Sequence, residues 1–131
     1  MHVRDAMNTP GHICLVGTAL CRNWRLVERL AERHGLTLLP RVAPSDMRVI
    51  AYADVVAVDC REGGAAAARQ LVDDLTGVTR APIVVLDGGL RRDDIARLLS
   101  AGALDYFSEP FNVPLIAERL EHLAASSGPR R

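Results

Sequence analysis

Two short apolar runs, each ending in aspartate, constrain the fold of this chain more than any other feature. Residues 54–59 read Asp-Val-Val-Ala-Val-Asp, and residues 82–87 read Pro-Ile-Val-Val-Leu-Asp. Near-continuous apolar runs of strand length are typical of parallel strands that are covered on both faces. The sequence therefore predicts a sheet with helices packed on each side.

Strand-like runs alternate with helical patterns along the rest of the chain. Strands are predicted at residues 12–16, 36–42, 54–59, 82–87 and 104–108, and helices at residues 23–34, 44–52, 65–75, 93–101 and from Asn112, which can cap the last one. Helical spacing places Trp24, Leu99 and Leu115 on buried faces. Five strands alternating with five helices predict an α/β fold with a parallel sheet.

Length and composition narrow the class of protein. A chain of 131 residues is one domain's worth, and its sixteen basic residues balance sixteen acidic ones. Without net charge, binding to nucleic acid or to a membrane surface is not expected. Every basic residue is arginine, and the three cysteines lack metal-ligand spacing, which fits a reducing cytosol. With no signal peptide and no membrane-length apolar run, we expect a soluble cytoplasmic protein.

In an open parallel sheet, ligand-binding and catalytic residues lie at the carboxyl ends of the strands. The residues expected at that edge of the sheet are Gly17, Thr18, Asp59, Cys60, Arg61, Asp87, Gly88 and Glu109. No glycine-rich phosphate cradle follows the first strand, and no pairing of a nucleophile with a base is present. Nucleotide binding and enzymatic activity are therefore disfavoured.

Residues 101–111, Ala-Gly-Ala-Leu-Asp-Tyr-Phe-Ser-Glu-Pro-Phe, resemble the last-strand segment of the receiver domains of bacterial response regulators. The resemblance to this CheY-like family covers about residues 12–125. It implies a flavodoxin-like (βα)5 three-layer sandwich with strand order 2-1-3-4-5. It also implies that Asp59 matches the phosphoacceptor, that Tyr106 matches the switch aromatic, and that the peptide bond before Pro110 is cis.

The remaining positions of the family's active site depart from its pattern. Gly17 and Thr18 stand where receivers have two acids that hold Mg²⁺, so the magnesium site is expected to be lost. Asp87 replaces the hydroxyl residue that contacts the phosphoryl group, and Glu109 replaces the lysine that pairs with it. Acids at these two positions would repel a phosphoryl group.

If the fold is right, Asp59, Asp87 and Glu109 converge on one pocket. Like charges at close range favour a raised pKa in one of them or a neutralising cation. Arg61 is the cation nearest in sequence, and we expect its guanidinium to fold over Asp59 or Asp87. Alternatively, the three carboxylates could hold a divalent ion, or Arg61 could be an ordinary exposed loop residue.

The sequence therefore predicts a pseudo-receiver, which is not an enzyme and has no cofactor. Such a module would act in signal transduction or transcription regulation by binding a protein partner or an attached output domain. It could also form a homodimer through the fourth helix, fifth strand and fifth helix. Two alternatives stay open: a response regulator still phosphorylated on Asp59, and a small flavodoxin-like protein that binds a ligand or metal. Residues 1–11 and 126–131 are predicted to be tails, the second of them a tail or the start of a linker.

Overall fold

The computed structural model describes residues 11–60 and 63–126. Five strands form one parallel sheet in the order β2-β1-β3-β4-β5, which confirms the predicted fold class. The strands are β1 (His12–Val16), β2 (Gly35–Leu39), β3 (Val55–Asp59), β4 (Ile83–Asp87) and β5 (Asp105–Ser108). The helices are α1 (Thr18–Arg22), α2 (Trp24–Ala31), α3 (Met47–Ala51), α4 (Gly64–Thr76), α5 (Arg92–Ala101) and α6 (Val113–Ser126), with a 3₁₀ turn at Pro44–Asp46 before α3.

The central strand β3 has a hydrophobic core on each of its faces. Val56 and Val58 pack in one core, which includes residues of α3, α4 and α5. Val55 and Ala57 pack in the other, which includes residues of α1, α2 and α6. Because side chains alternate along a strand, both faces of β3 must be apolar, and this is why the run from residue 54 to 59 contains no polar interior residue.

The first helical segment differs from the prediction. The chain forms α1 directly after β1, breaks at Asn23, and continues as α2. The Asn23 Oδ1 atom accepts a hydrogen bond from the Leu26 N–H at 3.2 Å, so this residue caps α2 as the chain changes direction. The break sets the buried face to Leu26 and Leu30. Placing Trp24 in the core was therefore wrong, because its side chain is 66% exposed.

Two further leucines predicted to be buried are on the surface. Leu99 of α5 is 45% exposed and Leu115 of α6 is 51% exposed. Each has a buried neighbour one residue away, Leu98 and Ile116, and consecutive residues point about 100° apart around a helix, so these two leucines lie outside the buried stripe. The predicted cap of the last helix is confirmed, since the Asn112 Oδ1 atom accepts from the Leu115 N–H at 3.1 Å.

None of the helices in residues 11–60 and 63–126 combines the length and the apolarity that a membrane span requires.

Two leucines of α6 differ in burial and therefore test which face of this helix packs in the core. Leu120 is fully buried whereas Leu115 is half exposed. We expect Leu120→Ala to lower the free energy of unfolding by about 2–5 kcal/mol, because it leaves a cavity. The Leu115→Ala change is expected to cost under about 1 kcal/mol. Urea unfolding followed by circular dichroism measures both values, and equal losses would contradict the assignment of the buried face.

Candidate functional site at the carboxyl edge of the sheet

Backbone hydrogen bonds continue past the strand ends and align the residues predicted to be functional. The Gly17 N–H donates to the Leu39 carbonyl at 2.9 Å, and the Cys60 N–H donates to the Leu86 carbonyl at 3.0 Å. The Glu109 N–H donates to the Asp87 carbonyl at 3.1 Å. The carboxyl ends of all five strands therefore form one edge.

Gly17 packs directly against Asp59 at this edge. Val16 is paired with Val58 in the sheet, so the next residues along each strand, Gly17 and Asp59, are also neighbours. Gly17 has a φ of 114°, and a Cβ atom added there would lie 2.8 Å from the Asp59 Cβ and 3.0 Å from its carbonyl oxygen. Real Cβ atoms do not approach so closely, and side chains rarely adopt this φ. The backbone at position 17 therefore accommodates glycine and leaves no room for a side chain.

A cavity of about 360 Å³ opens beside this contact. Its walls come from the ends of β1, β2 and β3 and from the first half of α4, and its lining includes Gly17, Thr18, Arg41, Asp59, Ala67 and Leu71. Asp59 contributes a carboxylate, and Arg41 contributes the one cation among the described lining residues. The cavity thus combines these two charged groups with an apolar wall of α4 side chains.

Arg41 is a residue that sequence reasoning missed. The second strand was predicted to extend to residue 42, which placed Arg41 inside the strand. In the structure β2 ends at Leu39, so Arg41 follows a carboxyl end and lines the cavity. The dipeptide Pro40-Arg41 carried the signal, because proline is rarely found inside a sheet strand.

Asp87 is buried at the end of β4, only 5% exposed. One carboxylate oxygen, Oδ1, accepts from the Gly88 N–H. The other, Oδ2, is buried without a hydrogen-bond partner among the described residues. Burial of a carboxylate oxygen without a hydrogen bond raises the free energy of the folded state, and its negative charge repels a second anion.

Glu109 and Tyr106 take separate positions along the end of β5. Glu109 is exposed, and the peptide bond between it and Pro110 is cis, the isomer that the resemblance implied. The half-buried Tyr106 accepts a hydrogen bond at its hydroxyl from the Leu90 N–H at 2.9 Å. This bond holds the aromatic ring against the loop after β4.

The expected convergence of three acids on one pocket is only partly met. Of Asp59, Asp87 and Glu109, only Asp59 lines the cavity. Within residues 11–60 and 63–126, no three His, Cys, Asp or Glu side chains are grouped to hold a metal ion. Asp59 and Asp87 do lie near the buried Cys60: burial raises the pKa of that thiol to about 12, and repulsion from Asp87 and then Asp59 adds to the rise. Arg61, the predicted neutralising cation, lies outside the described residues.

Solved structures share this architecture at low sequence identity. A two-component response regulator from Clostridium difficile superposes with a TM-score of 0.72 at 15% identity, over 91% of this chain and 99% of the other. A receiver domain protein from Methanospirillum hungatei gives 0.69 at 16%, over 90% of this chain and 96% of the other.

The chain has the receiver fold. A putative pilus assembly-related protein from Burkholderia pseudomallei also shares it, with a TM-score of 0.68 at 17% identity over 95% of this chain and 96% of that one. The sequence itself matches no protein-family model and no curated protein.

The magnesium ion that a receiver fold implies does not fit the residues present. Mg²⁺ requires oxygen ligands in near-octahedral geometry. The protein usually supplies one or two carboxylates, and the substrate supplies phosphate oxygens. Gly17 has no side chain to offer, and Thr18 offers at most a neutral hydroxyl. Since Gly17 also lies against Asp59, no acid can be accommodated there on the present backbone.

Alanine substitutions at two glycines separate the energetic cost of a clash at Asp59 from the cost of the backbone conformation. Gly89 has a similar φ of 133°, but a Cβ atom added there would meet nothing within 4 Å. We expect Gly89→Ala to cost about 1–3 kcal/mol through backbone strain alone. The Gly17→Ala change should cost about 1–3 kcal/mol more, because it also forces a clash. Chemical unfolding of both variants provides the comparison, and equal costs would show that the contact at Asp59 is not tight.

Proposed function

We propose that this chain is a pseudo-receiver, a signalling module that acts by protein–protein contact and does not use magnesium-dependent phosphorylation of Asp59. In this proposal it regulates an attached or separate output domain, in signal transduction or transcription regulation. The observation that carries the proposal is the packing of Gly17 on Asp59. Phosphoryl transfer to a carboxylate requires a divalent ion to offset the approach of two anions, and the position expected to supply an acidic ligand for that ion holds a glycine whose backbone has no room for a side chain.

The charges around Asp59 support the same conclusion. The position that would receive the phosphoryl group's oxygen contact holds the buried Asp87 carboxylate. The position of the neutralising lysine holds Glu109. A phosphoryl group on Asp59 would thus add charge near the Asp87 carboxylate without a lysine to offset it, and Arg41 is the sole cation among the cavity's described lining residues.

The switch aromatic is also held in place. In an active receiver this residue would move toward a hydroxyl group at the end of β4, but Asp87 provides no such group. Tyr106 instead accepts the Leu90 N–H. The proposal therefore assigns the module a constant surface that is not switched at Tyr106.

The surface at the β5 edge is the proposed site of partner contact. β5 is an edge strand, and the segments that precede and follow it expose three leucines, each 45–51% exposed, namely Leu104, Leu99 of α5 and Leu115 of α6. Arg119 of α6 donates to the Asp105 carboxylate at 3.0 Å and fixes the polar border of this surface. We call the exposed leucines with this ion pair the β5 surface. An apolar centre with a polar rim suits contact with an output domain or a second copy of the chain.

Incubation with acetyl phosphate and Mg²⁺ tests the loss of phosphorylation. We expect the wild-type chain to show no phosphoryl adduct by intact-mass spectrometry, in contrast to an active receiver treated in parallel. The Asp87→Thr, Glu109→Lys variant restores both accessory side chains and should also stay unmodified, because the backbone at Gly17 still excludes the metal ligand. An adduct on Asp59 in the wild type would overturn the proposal. An adduct in that variant alone would show that side chains and not the backbone prevent the reaction.

Replacement of Leu104 tests the β5 surface in the cell. We expect Leu104→Asp to fold normally, since the side chain is 50% exposed, but to fail to restore the transcript profile of a deletion strain. Leu38→Asp is the matched control, because Leu38 is also a partly exposed leucine but lies on β2, the opposite edge strand. Full complementation by Leu104→Asp would contradict the assignment.

A further inference from the structure

The outer face of α2 carries features that the proposed function does not use. Helix α2 buries Leu26 and Leu30 against the sheet. Its opposite face exposes the chain's only tryptophan and five charged residues, namely Trp24, Arg25, Glu28, Arg29, Glu32 and Arg33. Tryptophan and arginine are enriched in protein contacts, so a face with an exposed tryptophan and three arginines is a candidate for one.

These six residues form two adjacent rows along the helix. Trp24, Glu28 and Glu32 are spaced four apart, and Arg25, Arg29 and Arg33 are spaced in the same way. Residues four apart lie one above the other on an α-helix. Glu32 and Arg33 follow the last residue of α2: Glu32 keeps helical backbone angles, and the Arg33 N–H donates to the Leu30 carbonyl at 3.4 Å, so the rows continue through the turn after Ala31.

The charges of this face are self-complementary in an antiparallel pairing. When two identical helices cross antiparallel, facing residues have numbers with a constant sum. If Arg25 faces Glu32 of a second copy, then Glu28 faces Arg29, and Trp24 faces Arg33. All of these pairs are attractive, and two-fold symmetry produces each of them twice.

Other alignments of the two helices give fewer favourable pairs. A shift of one turn that places Glu28 opposite Arg33 leaves Trp24 without a charged partner on the second helix. The opposite shift, which places Trp24 opposite Arg29, leaves Glu32 and Arg33 without partners. The sequence of α2 therefore selects one register as well as one orientation.

The geometry points to a contact between two copies of this chain, and we propose that α2 packs antiparallel on α2 of the second copy, about an axis near Glu28 and Arg29. This proposal goes beyond the proposed function, because it does not depend on whether Asp59 accepts phosphate or on the β5 surface.

Contacts within each copy hold side chains of this face in place before the two copies meet. Arg29 is held by Glu121 of α6, with its Nη2 and Nε atoms 3.0 and 3.2 Å from the Glu121 Oε1 atom. The Arg25 guanidinium stands 5.4 Å from the centroid of the Trp24 ring, which leaves the indole's second face for Arg33 of the other copy. Side chains already fixed in the free chain lose less entropy on binding.

The six residues and Glu121 line one shallow groove. Within it three arginines balance three glutamates, so two copies do not repel each other as they approach. The helical contact is only about 15 Å long, and an interface this small gives a weak dimer that forms at high protein concentration.

Charge exchange between two positions tests the pairing. Sedimentation velocity of the full chain across a concentration series should show a monomer–dimer equilibrium, accompanied by a blue shift of Trp24 fluorescence. Arg25→Glu and Glu32→Arg, each alone, place like charges opposite each other and should weaken the dimer about tenfold or more. The combined Arg25→Glu, Glu32→Arg variant should dimerise like the wild type. An equimolar mixture of the two single variants should also form a heterodimer, because each supplies the charge that the other needs.

Arg69→Glu is the matched control and should leave this dimer unchanged, because it makes the same charge change at an exposed residue of α4, on the other side of the sheet from α2. Thermal unfolding followed by circular dichroism establishes that each variant folds. The proposal is overturned by a chain that stays monomeric at every concentration, or by a charge exchange that does not restore dimerisation. It is equally overturned by a dimer that survives Arg25→Glu but is lost in Leu104→Asp, since that result places the self-contact on the β5 surface.

Discussion

Complete burial of the central strands on both faces is the constraint on which the rest of the structure depends. β3 and β4 contribute side chains to the core on each side of the sheet, and most of them have no exposed surface. Buried backbone groups must find partners within the sheet, so the strands pair in register and their carboxyl ends meet at one edge. Asp59 and Asp87 reach the same edge because both strands stop there, whatever chemistry that edge performs.

Features carried by local pattern could be predicted from the sequence, whereas features set by the approach of distant segments could not. The strands ending at Asp59 and Asp87 were predictable because an uninterrupted apolar run has few other interpretations. The exposure of Trp24 was not, since it depends on a break at Asn23 that rotates the face of α2. The resemblance to receivers implied that Gly17 stands where that family has an acid. Its contact with Asp59 appears only when β1 and β3 are placed side by side.

The fold and its chemistry respond to sequence change in different ways. At 15% identity with a response regulator, the chain keeps the same sheet and helices, since a core needs apolar volume in the right pattern more than particular residues. A phosphorylation site needs individual groups within hydrogen-bonding distance of one atom. A chain can therefore differ from receivers at positions such as 17, 87 and 109 while it has the same scaffold.

The close packing of Gly17 on Asp59 limits what a single substitution can achieve at this edge of the sheet. The backbone at the end of β1 lies against the neighbouring strand, so an acid introduced at position 17 meets a clash before it can bind any ion. The main chain would have to shift first, and a point change at position 17 does not supply that shift. Sequence change can therefore refine the surfaces of this fold more readily than it can place an acidic side chain beside Asp59.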